Sequence, residues 1–250
     1  MLKILLAGAL GRMGKQVSAC AEEKDVLIAA GVDVNAEKGS ASFPVYPAFS
    51  FVQEKADVIV DFTRPEGLHA LLEYAIANQL PVVLAATGYN ENDLAAIREA
   101  AKRIPIFRSA NMSLGVYVLK ALSAKAAQLL PDFDIEIVEK HHNQKADAPS
   151  GTALMLYDAV KNASSEPVFG RHTRTEKREK QEIGIHAVRG GSVPGEHEVG
   201  FYGQGETVLI SHSAQDRSIF ARGALKAAAF IAKQAPGEYN MDDLAAQMLE

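Results

Sequence analysis

Short apolar runs alternate with helix-like segments over the first 110 or so residues. Leu2–Ala7 is apolar apart from Lys3, as a strand buried on both faces would be. A glycine-rich turn, Gly8 to Gly14, follows, and residues 12–23 read as a helix. Val26–Val32 is a second apolar run that ends at Asp33. Residues 34–56 carry Pro44, Pro47, Phe49 and Phe51 and read as an irregular connection with room for a short helix. Residues 57–62, 81–86 and 104–110 are strand-like; 66–78, with Pro65 at its first turn, and 92–103 are helical. Repeated βα units of this length predict a parallel sheet with helices on both faces, a Rossmann-type α/β domain.

The pattern changes after Asn111. Residues 114–130 form a long helix with an apolar face, closed by Pro131. Residues 133–139 set Phe, Ile and Ile against Asp, Glu and Glu, the period of a half-buried strand, with Val138 breaking the alternation. A helix is expected at 152–163, then strands at Glu182–Arg189, Glu196–Tyr202 and 207–212, joined by glycine turns. These predict a second α+β domain whose sheet is mostly antiparallel or mixed. The charged segment 171–182 reads as a solvated mobile loop. Helices at 217–234 and 241–249, with no strand after either, are expected to return to the first sheet. The expected domains are therefore 1–112 with 217–250 for a dinucleotide, and 113–216 for substrate and assembly.

Composition narrows the function. With 250 residues, 48% hydrophobic and 23% charged, the chain can bury a sizeable core. A net charge of -5 gives no support to nucleic-acid or anionic-membrane binding. The lone cysteine, Cys20, excludes an internal disulfide and a multi-cysteine zinc site. No apolar run approaches a membrane span of roughly 20 residues, and the N-terminus lacks a signal-peptide pattern. A cytoplasmic location is the default expectation.

The turn Gly8-Ala9-Leu10-Gly11-Arg12-Met13-Gly14 has the chemistry of a dinucleotide site. Its spacing departs from the common G-x-G-x-x-G, but the mechanics hold. Gly8 allows a tight turn, Gly11 lets backbone approach a pyrophosphate, and Gly14 lets helix and strand pack closely. The pyrophosphate would meet a helix N-terminus, with Arg12 as an added cation. Asp33, about 20 residues on, is placed to accept from the adenosine ribose hydroxyls. Val34 follows it and offers no cation to a 2′-phosphate, so NADH is preferred over NADPH. The strand ends at 61–63, 85–88 and 109–112 share that sheet edge. Small residues from Ala85 to Gly88 would let a nicotinamide ribose lie against backbone, and Asn111 and Met112 could face the nicotinamide.

The densest chemistry is EKHHNQKADAPSGTA, residues 139–153. His141 and His142 stand four and three residues before Lys145, so either could lie near the lysine if the chain coils back. A histidine is the readiest proton donor near neutral pH. The lysine serves an anionic substrate as charge partner or second proton source. Ser150, Gly151 and Thr152 offer hydroxyls and backbone N–H groups at a helix start, a carboxylate site. Together they suit a small dicarboxylate with a polar reducible bond. A metal is not expected: adjacent histidines on a strand point to opposite faces, and no third ligand has motif spacing. His186, His197 and His212 could converge only through the fold.

GALGRMG, DFTRPEG at 61–67, ATG at 86–88, SANMSLGV at 109–116, EKHHNQKADAPSGTA, IGIHAVRGGSVPGEHEV at 183–199 and the terminal YNMDDL together resemble the 4-hydroxy-tetrahydrodipicolinate reductase (dihydrodipicolinate reductase) family of lysine and diaminopimelate biosynthesis. The resemblance runs the whole length. It implies hydride transfer from NAD(P)H to a cyclic unsaturated imine dicarboxylate, with the hydroxyl lost as water. His141 matches the family's proton donor/acceptor, Lys145 its second donor, His142 a substrate-contacting histidine, and Gly151 and Thr152 its carboxylate loop. Gly8, Ala9, Leu10, Gly11, Arg12, Met13, Asp33, Ala85, Ala86, Thr87, Ser109, Ala110, Asn111 and Met112 match its cofactor contacts. It also implies a cytoplasmic homotetramer assembled through the second sheet. Ala85-Ala86-Thr87 stands where many members have Gly-Thr-Thr, Met112 where some carry an aromatic, and Val34 where dual-cofactor members carry a base. Two other classes remain to be separated: another Rossmann oxidoreductase of amino or imino acids, which should lack the HHxxKxDAPSGTA cluster, and a non-catalytic NADH-binding module, which should tolerate His141→Ala.

Overall fold

The computed structural model describes residues 1–22, 25–37, 41–171 and 175–248. The expected helix end at 23, residues 38–40 of the connection, 172–174 of the charged segment and 249 of the last helix lie outside the described residues. The chain divides into two compact units, Met1–Ser113 with Arg217–Glu250, and Leu114–Asp216.

The first unit is built on seven strands: β1 (Leu2–Ala7), β2 (Val26–Val32), β3 (Val45–Tyr46), β4 (Val58–Asp61), β5 (Val82–Leu84), β6 (Pro105–Arg108) and β12 (Gly237–Tyr239). Their order is β12-β6-β5-β4-β1-β2-β3, with every pairing parallel. The order reverses at β1, so the switch point lies between β1 and β4, where open α/β sheets bind ligands beyond the carboxyl ends. Helices α2 (Leu68–Ala77) and α3 (Glu91–Ala101) bury Leu71, Leu72 and Ile97 against Leu5, Ile59 and Ile106. On the other face lie α1 (Arg12–Glu22) and α6 (Ser218–Ile231), where Phe230 meets Phe107 edge to face at 6.1 Å. The small residues of α6 allow close approach: a Cβ on Gly223 would sit 1.7 Å from the Met112 carbonyl oxygen.

Two expectations need correction in this unit. Pro65–Gly67 forms a 3-10 turn, and the helix proper starts only at Leu68. The helices at the C-terminus do have a strand between them: β12 follows α6 and precedes α7 (Met241–Met248), pairing with β6. Three residues including a glycine carry too little pattern to stand out.

The second unit has five strands, β7 (Asp134–His141), β8 (Glu166–Phe169), β9 (Glu182–Arg189), β10 (Glu196–Tyr202) and β11 (Thr207–Ser213), ordered β11-β10-β7-β9-β8. The pairings of β10 with β11 and β7 are antiparallel; those of β9 with β7 and β8 are parallel. The sheet is therefore mixed. Helices α4 (Leu114–Leu129) and α5 (Gly151–Val160) cover one face, burying Leu119, Ala153 and Leu156 against Ile137, Ile185, Val199 and Phe201. By alternation Val138, Val188, Tyr202 and Leu209 lie on the opposite face, and the last three are exposed. The charged segment is not simply solvated: Arg178 donates to Asp134 at 2.7 Å and Glu136 at 3.2 Å on β7. No helix of the described residues is long and apolar enough to cross a membrane.

Candidate active site

In the first unit the strand ends continue in one direction. Gly8 N–H donates to Val32, Phe62 N–H to Ala7 and Ala85 N–H to Asp61. Gly8 has φ +77, and a Cβ there would press on the Phe62 carbonyl at 3.1 Å. A Cβ on Gly14 would lie 2.3 Å from the Gly8 carbonyl oxygen, so α1 can start this close to β1 only with glycine there. Gly11 and Arg12 are exposed at the head of α1. Its first N–H groups lack intrahelical acceptors, the arrangement that cradles a pyrophosphate. Asp33 closes the loop from the β2 side: Oδ2 accepts from Leu10 N–H at 2.9 Å and Oδ1 from Asn35 N–H at 2.9 Å. Val34 beside it is 90% exposed. These residues fit a dinucleotide: a turn that a Cβ would fill, free helix-terminal donors, and a carboxylate on the adjoining strand.

The other expected contacts differ in what they offer. Thr87 is exposed and Ala85 half-buried, whereas Ala86 is buried. Asn111 accepts from Ser113 N–H at 2.8 Å, while its carbonyl accepts from the Ser109 hydroxyl at 2.7 Å. Ala110 is exposed, but Met112 is only 2% exposed, so little of its side chain is left to face a ligand. Asp61, in a strand end that the sequence placed on this edge without a role of its own, sits at the switch point and is 1% exposed. Thr63 donates to Oδ1 from both backbone and hydroxyl, at 2.9 and 2.6 Å. Burial pushes its carboxyl up to about 6 in spite of those two bonds.

In the second unit the chemistry gathers at the end of β7, which runs two residues beyond the expected 139 and carries His141 as its last residue. Glu139 and His141 are two apart on a strand and share a face. Glu139 is fully buried and still accepts four hydrogen bonds. Oε2 takes His141 Nδ1 at 2.5 Å and Arg189 Nη1 at 2.8 Å; Oε1 takes Arg189 Nη2 at 2.7 Å and Ser150 N–H at 2.9 Å. Arg189 ends β9, in register with His141, and the planar guanidinium matches the carboxylate fork. Burial pushes the Glu139 carboxyl up, but the bonds from Arg189, His141 and Ser150 outweigh it and hold it below the usual range. Burial lowers His141, with Lys145 and Arg189 adding to that and Glu139 opposing it.

His197, on β10, packs against His141 with ring centroids 5.1 Å apart. Its Nε2 meets the Ser150 hydroxyl at 3.1 Å, and burial chiefly lowers it to about 4, so it is neutral at physiological pH. His212 is its partner across β10 and β11. Gly195 closes the other side of His141: a Cβ there would be 3.0 Å from Nε2. Beyond the strand the backbone turns, with His142 N–H on Val193 and Lys145 N–H on the His142 carbonyl, both groups in the same loop. Lys145 Nζ holds Asp147 at 2.8 Å, and the lysine pulls the Asp147 carboxyl below its ordinary range.

Ser150 is the N-cap of α5. Its hydroxyl accepts from Ala153 N–H at 3.2 Å and its own N–H is taken by Glu139, so its polar groups are already engaged. Gly151 is exposed and Thr152 half-buried, at the first turn of the helix. The fold thus brings His141, Ser150, Glu139, Arg189 and His197 into one network; Lys145 joins through its charge on His141 rather than through a direct bond to it. Among the described residues no group of three or more His, Cys, Asp or Glu is arranged to hold a metal. Glu139, Arg189 and His197 were missed as site residues. The period-two spacing of Glu139 and His141 was readable, but the neighbours of β7 were not.

Comparison with known proteins covers nearly the whole chain. Residues 2–112 match the family model described as dihydrodipicolinate reductase, N-terminus, and residues 115–245 the model for its C-terminus. The chain is 51% identical to the 4-hydroxy-tetrahydrodipicolinate reductase of Caldanaerobacter subterraneus subsp. tengcongensis, over 98% of each chain. It is 46% identical to that of Clostridium tetani, over 97% of this chain and 96% of the relative. In fold it is similar to a dipicolinate-bound dihydrodipicolinate reductase from a Paenisporosarcina species, with TM-score 0.80, 22% identity, and 96% and 97% of the two chains covered.

Proposed function

The chain belongs to the dihydrodipicolinate reductase family, and from that premise we propose how its own residues carry out the reaction. The activity is that of an NAD(P)H-dependent oxidoreductase: reduction of 4-hydroxy-tetrahydrodipicolinate to tetrahydrodipicolinate in lysine and diaminopimelate biosynthesis.

Bound NAD(P)H supplies the hydride. The glycine turn and the head of α1 receive its pyrophosphate through Gly8, Ala9, Leu10, Gly11, Arg12 and Met13, and Asp33 takes the ribose hydroxyls. Ala85, Ala86 and Thr87, with Ser109, Ala110, Asn111 and the backbone of Met112, line the nicotinamide end. NADH is the preferred form, because Asp33 would repel a 2′-phosphate and exposed Val34 offers it no cation.

The substrate is a small dicarboxylate. Its carboxylates go to the N–H groups of Gly151 and Thr152 at the start of α5, and to Lys145 and His142. Ser150 serves from behind as the cap. Loss of the hydroxyl as water leaves a conjugated imine; hydride from the cofactor would add to it and push one electron pair into the ring, which takes up one proton to balance it. His141 delivers that proton from Nε2, and Lys145 stabilises the anionic substrate beside it. The observation that carries this reading is the position of His141: on a strand end, held through Nδ1 by a buried carboxylate, within the motif that matches the family. Exposed Val188, Tyr202 and Leu209 on the sheet face opposite α4 and α5 support a homotetramer assembled through that face, and the family's pathway supports a cytoplasmic site. The test is an assay fed with the condensation product of pyruvate and aspartate semialdehyde. NADH oxidation is expected; none with either cofactor would overturn the reading.

A further inference from the structure

An imidazole has two nitrogens, and a proton donor works only if the right one is aimed. We propose that Glu139 is a positioning residue: it holds His141 by Nδ1, leaves Nε2 as the proton-transferring atom, and ties that ring to the carboxylate-binding helix start. The assignment rests on the reading that the chain reduces an imine dicarboxylate.

The geometry is over-determined. A carboxylate has about four lone-pair sites, and all four on Glu139 are taken: His141 Nδ1 and Arg189 Nη1 on one oxygen, Ser150 N–H and Arg189 Nη2 on the other. The carboxylate therefore has no free acceptor site to exchange, and the fork of Arg189 fixes its plane. Ser150 directly precedes Gly151, so one buried group sets both the proton donor and the first turn of α5. Arg189 Nη2 also donates to the Asp147 carbonyl at 2.7 Å, stapling the loop between them. On its far side Nε2 faces Gly195, where the lack of a Cβ leaves room for it.

The charge environment gives Glu139 a second consequence. His141 is faced by Glu139 from β7, Lys145 from the following loop, Arg189 from β9, and neutral His197 from β10, itself paired with His212 of β11. Lys145 and Arg189 disfavour the imidazolium; Glu139 favours it. Without its charge the imidazolium would lose its proton at lower pH.

The test uses the full enzyme and Glu139→Gln, which keeps the shape and removes the charge. The variant should lose about 10- to 100-fold in kcat, in the range seen when a group orienting a functional histidine is removed. Its NADH dissociation constant should be unchanged. The alkaline limb of kcat/KM should move to lower pH by about one unit. Because the variant could fail to fold, nitrogen-15 NMR of the unmutated, histidine-labelled enzyme gives an independent arm: neutral His141 should carry its proton on Nδ1. A Glu139→Gln enzyme with an unshifted limb, or an Nε2–H tautomer in the unmutated protein, overturns the proposal. An unmutated enzyme without turnover would instead overturn the functional reading, and the NMR arm would still decide the geometry.

Discussion

The rings of His141 and His197 meet edge to face, their centroids 5.1 Å apart and their planes at 75°. Only one of two imidazoles this close can readily carry a charge, and the structure selects which. Burial and the nearby His141 lower His197 to about 4, whereas at His141 Glu139 offsets part of the lowering by burial.

The depressed value of His197 has a stability consequence. Its unfolded pKa is near 6.5, so the unfolded chain takes up this proton first as pH falls. The fold is unaffected above about 6.5 and is weakened as pH drops towards 4, by up to roughly 3 kcal/mol. Urea unfolding of the second unit should show that slope, and His197→Phe should flatten it. An undiminished slope in the variant would mean that His197 does not carry it.

Asp61 should act in the opposite sense. Its carboxyl is raised from 3.8 to about 6, so its neutral form suits the fold. Its contribution is fully present below about 3.8 and is lost as pH rises through about 6, a change of roughly 3 kcal/mol. Asp61→Asn keeps an oxygen for both Thr63 donors, so it should remove this dependence and leave the first unit at least as stable at pH 7. Lower stability at pH 7 with the pH slope intact would contradict the assignment.

Gly195→Ala tests the access to Nε2. The added methyl would sit 3.0 Å from that atom. We expect kcat to fall about 10- to 100-fold, as small displacements at a reacting group do, with NADH affinity unchanged. Wild-type kcat in this variant would show that Nε2 is not the working atom.

The proposed preference for NADH is tested at Asp33 and Val34. Asp33→Gly combined with Val34→Arg removes a charge that repels a 2′-phosphate and adds one that binds it. The ratio of kcat/KM for NADPH over NADH should rise about 10- to 100-fold, the value of one charge-assisted hydrogen bond. A ratio that does not change would remove both residues from the specificity argument.

The first sheet was readable because buried parallel strands are nearly unbroken apolar runs; Leu2–Ala7 and Val26–Val32 have the bounds expected of them. Strands β3, β8 and β12 escaped for local reasons. Each has four residues or fewer, and Pro167 interrupts β8. Their place is decided by edge pairing rather than by their own pattern. In the second unit the strands at Glu182–Arg189 and Glu196–Tyr202 were legible, but not which neighbour each would take. For that reason His141 and Lys145 could be picked out from one contiguous motif, while Arg189 and His197, which reach His141 only through the strand order β10-β7-β9, could not. The role of Ser150 shows the converse. A hydroxyl at a helix start suggested a ligand contact, and the fold spends its donors and acceptors on Glu139, Ala153 and His197.

The central claim is that His141 supplies the proton, with the charge of Lys145 beside it, while cofactor binding belongs to the other unit. It is tested most directly by measuring turnover and NADH affinity side by side for the unmutated enzyme, His141→Ala and Lys145→Ala. The account predicts that kcat falls about 100- to 10,000-fold in each variant, while the NADH dissociation constant stays within twofold or so of the unmutated value. Turnover near the unmutated rate in His141→Ala, or loss of NADH binding in either variant, would contradict it.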